Sequence, residues 1–105
     1  MSGSDSSGYV PPQRANFDCE TSIIITNVSS IDLAVLAKHK QGNTLDVVIS
    51  PSDALFLEDG NGEVLGAILH LNTKDIVECI KAGATYEAEI LKIHTPACQV
   101  KIRRK

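Results

Sequence analysis

Leu55-Phe56-Leu57-Glu58-Asp59-Gly60-Asn61-Gly62-Glu63-Val64-Leu65-Gly66-Ala67-Ile68-Leu69 is the stretch that decides the fold. Its centre, Asp59-Gly60-Asn61-Gly62, is a tight turn, because Gly and Asn accept the positive φ that short hairpins require. Leu55 to Leu57 reads as one apolar arm and Glu63 to Leu69 as the other. Gly66 inside the second arm predicts a bulge or a close backbone approach.

Downstream, Asn72 or Thr73 caps a helix whose Ile76, Val77, Cys79 and Ile80 form one apolar stripe, and Gly83 stops it. From Thr85 the apolar side is Tyr86, Ala88 and Ile90, opposite Glu87 and Glu89. After Ile90 the phase flips, so that Leu91 and Ile93 flank Lys92. A flat strand with one buried face cannot do this, so a bulge near Ile90-Leu91 or a crossing between layers is expected. Cys98 to Arg103 alternates again, with Val100 and Ile102 inward and Gln99, Lys101 and Arg103 outward.

Upstream, Ile23-Ile24-Ile25 reads as a buried β-branched strand. Ser29-Ser30-Ile31-Asp32 fits a capping box, with Asp32 serving the first free amides of a helix that runs to about Lys40. That helix is expected to bury Ile31, Leu33, Val35 and Leu36, with Lys38, His39 and Lys40 at its C-terminal end and Gly42 ending it. Thr44 to Ile49 alternates, with Leu45, Val47 and Ile49 on one face. The order is β-α-β-β-β-α-β-β. This is an α+β chain, mainly β, that suits a small partly open barrel or rolled antiparallel sheet in the OB-like or SH3-like range.

Residues 1–16 are Ser/Gly/Pro-rich and are expected to be a disordered tail, with a single domain over 17–105. Tyr9-Val10-Pro11-Pro12 could serve as a short recognition segment, though a plain linker is the expected role. The N-terminus has neither the basic nor the apolar region of a signal peptide, and no apolar run approaches a membrane span. Three cysteines, Cys19, Cys79 and Cys98, do not suggest a disulfide framework. Together these features predict a cytoplasmic protein.

Thirteen acidic residues face ten basic ones, and four of the basic ones lie in the last five positions. The first 100 residues therefore carry −7 within a net −3. An acidic body disfavours general nucleic-acid binding, which needs a basic face.

No catalytic set emerges. Counting twelve positions from Asp59 reaches His70 rather than the glutamate of a calcium loop. His39, His70 and His94 with Cys79 and Cys98 lack paired zinc spacing. Neither Cys19 nor Cys98 has a nucleophile's motif context. Glu87 and Glu89 read as a solvated strand face rather than a glycosidase pair. No enzyme activity and no cofactor are expected.

The segments Gly42 to Val48, Ala54 to Leu57, Gly62 to Gly66, Cys79 to Gly83 and Tyr86 to Ile90 together resemble the layout of HIRAN-type domains. Those are small OB-like barrels, some of which grip the free 3′ end of single-stranded DNA. The resemblance covers about half the chain. Where that family carries an Asn-Pro-Tyr-Asp-like segment, this chain has Ser50-Pro51-Ser52-Asp53, without an aromatic to stack a base.

Two functions follow. The first is a non-enzymatic protein-interaction module, an accessory subunit of a bacterial or phage system. It would pair Gln99 to Arg103, taken as an edge strand, with a partner or a second copy. The alternative is a HIRAN-like binder of DNA ends, with Lys92, Lys101, Arg103 and Arg104 on phosphate. Tyr86 would then stack, with Phe56 as the other aromatic of the sheet.

Overall fold

The computed structural model describes residues 17–105, so the expected N-terminal tail lies outside the described residues. Among them, six strands form one antiparallel sheet in the order β1-β6-β5-β2-β3-β4, where β1 is Ile24–Asn27, β2 Thr44–Ile49, β3 Leu55–Glu58, β4 Val64–Ile68, β5 Tyr86–His94 and β6 Ala97–Arg104. Helix α1 (Leu33–Leu36) follows β1 and helix α2 (Thr73–Lys81) follows β4. The element order is the one expected, and the sheet curls into a partly open barrel. Past β1, Ser29 and Ala67 exchange both backbone hydrogen bonds at 2.8 Å and Asp32 N donates to Leu65 O, so the two ends of the sheet meet at one point.

The core is aliphatic and follows the strand alternation. Leu45, Val47, Leu55, Leu57, Leu65, Ile68, Ala88, Ile90, Val100 and Ile102 are all buried, and α2 adds Ile76, Val77 and Cys79. The phase flip in β5 is a bulge: the β5–β6 register shifts between Ile90 and Lys92, leaving Leu91 as the extra residue. The Gly66 expectation also holds. A Cβ there would lie 2.6 Å from both Ser29 O and Val28 Cγ1, so only glycine lets the β1 continuation approach β4.

Three expectations are corrected. Helix α1 is four residues long, not ten, with Asp32 itself as N-cap, its Oδ1 accepting from Ala34 N and Val35 N. Ser30 takes φ 53°, which prevents the helix from starting earlier. Beyond Leu36 the chain is drawn onto the hairpin tip, where Lys38 pairs with Glu63 at 2.7 Å and His39 with Asp59 at 3.2 Å. Leu33 is consequently exposed rather than buried.

Secondly, β6 is an interior strand. The long β5–β6 hairpin leaves one side of β6 unpaired, and β1 fills it in the register Ile24↔Ile102 to Asn27↔Gln99. Thirdly, Cys19 and Cys79 form a disulfide across 60 positions, leaving Cys98 as a buried free thiol.

Candidate functional site

Of the basic residues singled out from the sequence, Lys92, Lys101 and Arg103 lie on the outer face of β5 and β6, whereas Arg104 is in phase with the inward residues, opposite Tyr86. Directly opposite pairs are Glu87↔Arg103 and Glu89↔Lys101. Arg103 reaches both carboxylates, Nε donating to Glu87 at 2.9 Å and Nη1 to Glu89 at 2.6 Å, while Lys101 lies 4.0 Å from Glu89. The Arg103 hydrogen bond holds the Glu89 carboxyl below its usual range, and the same two carboxylates raise Arg103. Arg104 pairs with Glu20, and Lys105 with Asp46 at 2.6 Å. Lys92 differs from these. It stands exposed at the bulge with no carboxylate partner among the described residues, beside a depression of about 90 Å³ that it shares with Asn27, His94 and Gln99.

Tyr86 is in the core, 1% exposed, with its hydroxyl donating to Cys19 O at 2.7 Å. Burial raises its phenol above the ordinary value. It offers no ring face to a base, and its neighbour Phe17 lies against it at 6.3 Å. Phe56 is half-buried on the outer face, between Val48 and Ala67. The four cations and the tyrosine therefore do not converge on one site.

The free edge of the sheet lies instead at β1. Ile24 and Val28 face the core, while Ile23 and Ile25 are 58% and 54% exposed. Val28 N donates to Cys98 O on β6, and Ser29 turns its backbone groups the opposite way, to Ala67. Backbone direction alternates along an antiparallel strand, so Ile23, Ile25 and Asn27 share Ser29's direction, away from β6. Continuing the Ser29–Ala67 register would set Asn27 opposite Leu69 and Ile25 opposite Leu71. That ladder does not form, because the chain turns towards α2 at His70, whose N donates to Thr73 Oγ1 at 2.9 Å. Leu69 and Leu71 are 71% and 58% exposed. Among the described residues, a seam therefore runs from the Ser29–Ala67 bridge, with exposed aliphatic side chains on both banks and, on the β1 bank, a strand edge with no strand beside it.

The sequence reading placed Ile23 and Ile25 in a buried strand, and the structure corrects this, burying Ile24 alone of the three; none of the seam residues was read as a binding surface. The signal was present in Ile23-Ile24-Ile25, since alternation turns the first and third outward whenever the second faces the core.

Elsewhere the polar side chains serve the backbone. Asp59 Oδ1 accepts from Asn61 N and Glu63 N, both at 2.9 Å, which lowers its carboxyl below the ordinary value, with His39 on its other oxygen. Among the described residues, no group of three His, Cys, Asp or Glu side chains could hold a metal ion. An open groove of about 320 Å³ beside α2 is lined by His70, Leu71 and Val77, with the Lys81–Asp53 pair at 2.9 Å among its lining residues. No described helix is long and apolar enough to cross a membrane. In comparison with known proteins, the chain matches no family model, no curated protein and no solved structure.

Proposed function

We propose that this chain is a non-enzymatic protein-interaction module that receives an extended segment of a partner protein as an added strand along β1. The observation that carries this reading is the backbone edge at Ile25 and Asn27, which no strand among the described residues covers, flanked by the exposed Ile23, Ile25, Leu69 and Leu71. Strand addition uses both features: main-chain hydrogen bonds supply affinity, and alternate side chains supply selectivity. An exposed edge bearing isoleucines is otherwise an aggregation hazard that a folded protein normally blunts. The partner segment would carry aliphatic side chains at every second position, matching the banks of the seam.

The HIRAN-like alternative, a single-stranded DNA end, finds less support. Arg103, Arg104 and Lys101 already face carboxylates, and Tyr86 is buried. Phosphate would have to displace those pairs, leaving Lys92 as the cation ready to receive it. The cytoplasmic expectation loses the cysteine count as support, since lasting disulfides belong to oxidising compartments.

Amide hydrogen exchange on the purified chain tests the edge. In dilute monomer, Ile25 and Asn27 should exchange roughly tenfold or more faster than Thr26, whose amide faces β6. Protection of Ile25 and Asn27 in a strict monomer would remove the basis of strand addition. Protection that appears only as concentration rises would identify the added strand as that of a second copy.

A further inference from the structure

Phe17 to Ser22 crosses the domain without joining the sheet. Asp18 folds this strap into a turn of its own, its Oδ1 accepting from Glu20 N at 2.7 Å and Thr21 N at 3.1 Å, while Ser22 Oγ accepts from Asp18 N at 2.8 Å. The strap is tied to the domain by the Cys19–Cys79 bridge, by the Tyr86 hydroxyl on Cys19 O, by the Phe17–Tyr86 ring contact and by the Glu20–Arg104 pair. Of these the bridge alone is covalent. Glu20 is largely exposed, and an exposed ion pair adds little.

Beneath the strap lie polar groups whose partners the strap supplies. The Tyr86 hydroxyl has its acceptor in the strap, and Arg104 has there the carboxylate it pairs with. Arg104 Nε is buried with no hydrogen-bond partner among the described residues. Cys79 lines two open depressions, one beside Phe17 and Glu78, the other beside Glu20 and Arg104. The bridge is therefore approached from two sides, and Cys19 is its more exposed end.

We infer that Cys19–Cys79 is a thiol–disulfide exchange site, whose reduction by a dithiol lifts the 17–22 strap and uncovers Tyr86 and Arg104 while the sheet stays folded. A thiolate of the reductant attacks Cys19 Sγ, the S–S bond breaks, and Cys79 leaves as a thiolate that takes up a proton. The second thiolate of the reductant then attacks the mixed disulfide. Cys19 is released as a thiol and the reductant leaves as its disulfide, two electrons having passed to the protein. Cys98 takes no part, since it is buried on the inner face of β6 and burial pushes its thiol up. The sheet survives because β1 begins at Ile24, after the strap, and the fully buried residues of β3, β5, β6 and α2 lie outside it.

The test compares the oxidised full chain with the same protein reduced by dithiothreitol, using NMR relaxation and native-state alkylation. On reduction, backbone order parameters of residues 18–22 should fall from about 0.85 to below about 0.6, while those of β5 and β6 hold. Iodoacetamide should then label Cys19 and Cys79 in the folded protein and spare Cys98. The double variant Cys19→Ser, Cys79→Ser should reproduce the reduced pattern without any reductant. The inference is overturned if the oxidised protein shows no bridge by mass, if the strap keeps its order on reduction, or if strap and sheet unfold together.

Discussion

At position 66 the missing side chain is what allows Ser29 to reach Ala67. A methyl group there would lie 2.6 Å from Ser29 O, a backbone atom that cannot rotate away. Gly66→Ala should therefore cost about 1–3 kcal/mol, as overpacking generally does, and should release the Ser29–Ala67 bridge. Urea unfolding gives the first quantity, and faster exchange at Ala67 N reports the second. Asp59 governs a second local structure. Its folded-state value lies below the ordinary 3.8, chiefly through the hydrogen bond from Glu63 N. The ionised carboxylate thus stabilises the hairpin fully above that ordinary value, and the contribution disappears as pH falls through the depressed one. As pH falls below the ordinary carboxylate value, wild type should lose more stability than Asp59→Asn, which is less stable to begin with. Parallel slopes for the two proteins would show that the turn does not depend on this charge.

Among the elements, β5, β6 and β1 divide what the sequence discloses from what it hides. The hairpin, the apolar stripe of α2, the close approach at Gly66 and the bulge at Leu91 were all legible, because each depends on residues a few positions apart. The neighbour of β6 was not. Residues 97–104 alternate in the same way whether their far side is empty or covered, and the strand that covers them lies about seventy positions upstream. A separation of 60 positions likewise hid the Cys19–Cys79 pair, and the covering of β6 is what moves the proposed site from the basic strand to β1. The β5–β6 pairing, which sets Arg103 directly opposite Glu87, is why its guanidinium bonds two glutamates. Arg103→Ala should lower stability by leaving Glu87 without its cation and Glu89 with Lys101 at 4.0 Å, and the loss should shrink at high salt as screening relieves the repulsion between the two carboxylates. Ile25→Glu should behave differently. On an exposed edge position it should shift stability by no more than about 0.5 kcal/mol, yet it should abolish strand addition along β1. A large loss of stability in Ile25→Glu would place that side chain in the core and remove it from the proposed binding surface.

For the molecule as a whole, the bridge between Cys19 and Cys79 closes a loop that contains β1 to β4, α1 and most of α2. In the chain-entropy model, tying residues 60 apart removes enough freedom from the unfolded state to stabilise the fold by about 4 kcal/mol. A described domain of residues 17–105 has roughly 5–13 kcal/mol in total, at the usual stability per residue. Removing the bridge should therefore leave a folded but much less stable protein. The melting temperature should fall by some tens of degrees, at about 4–8 °C per kcal/mol for a domain of this size. Because the term acts through the unfolded chain, it should appear whether the bridge is reduced or replaced by serines, and the two melting curves should coincide. A smaller fall in the serine variant than in the reduced protein would mean that the thiols themselves disturb the folded state. The strap and the stability are thus separable. Order at residues 18–22 reports what the bridge does to the native surface, and the melting temperature reports what it does to the unfolded chain.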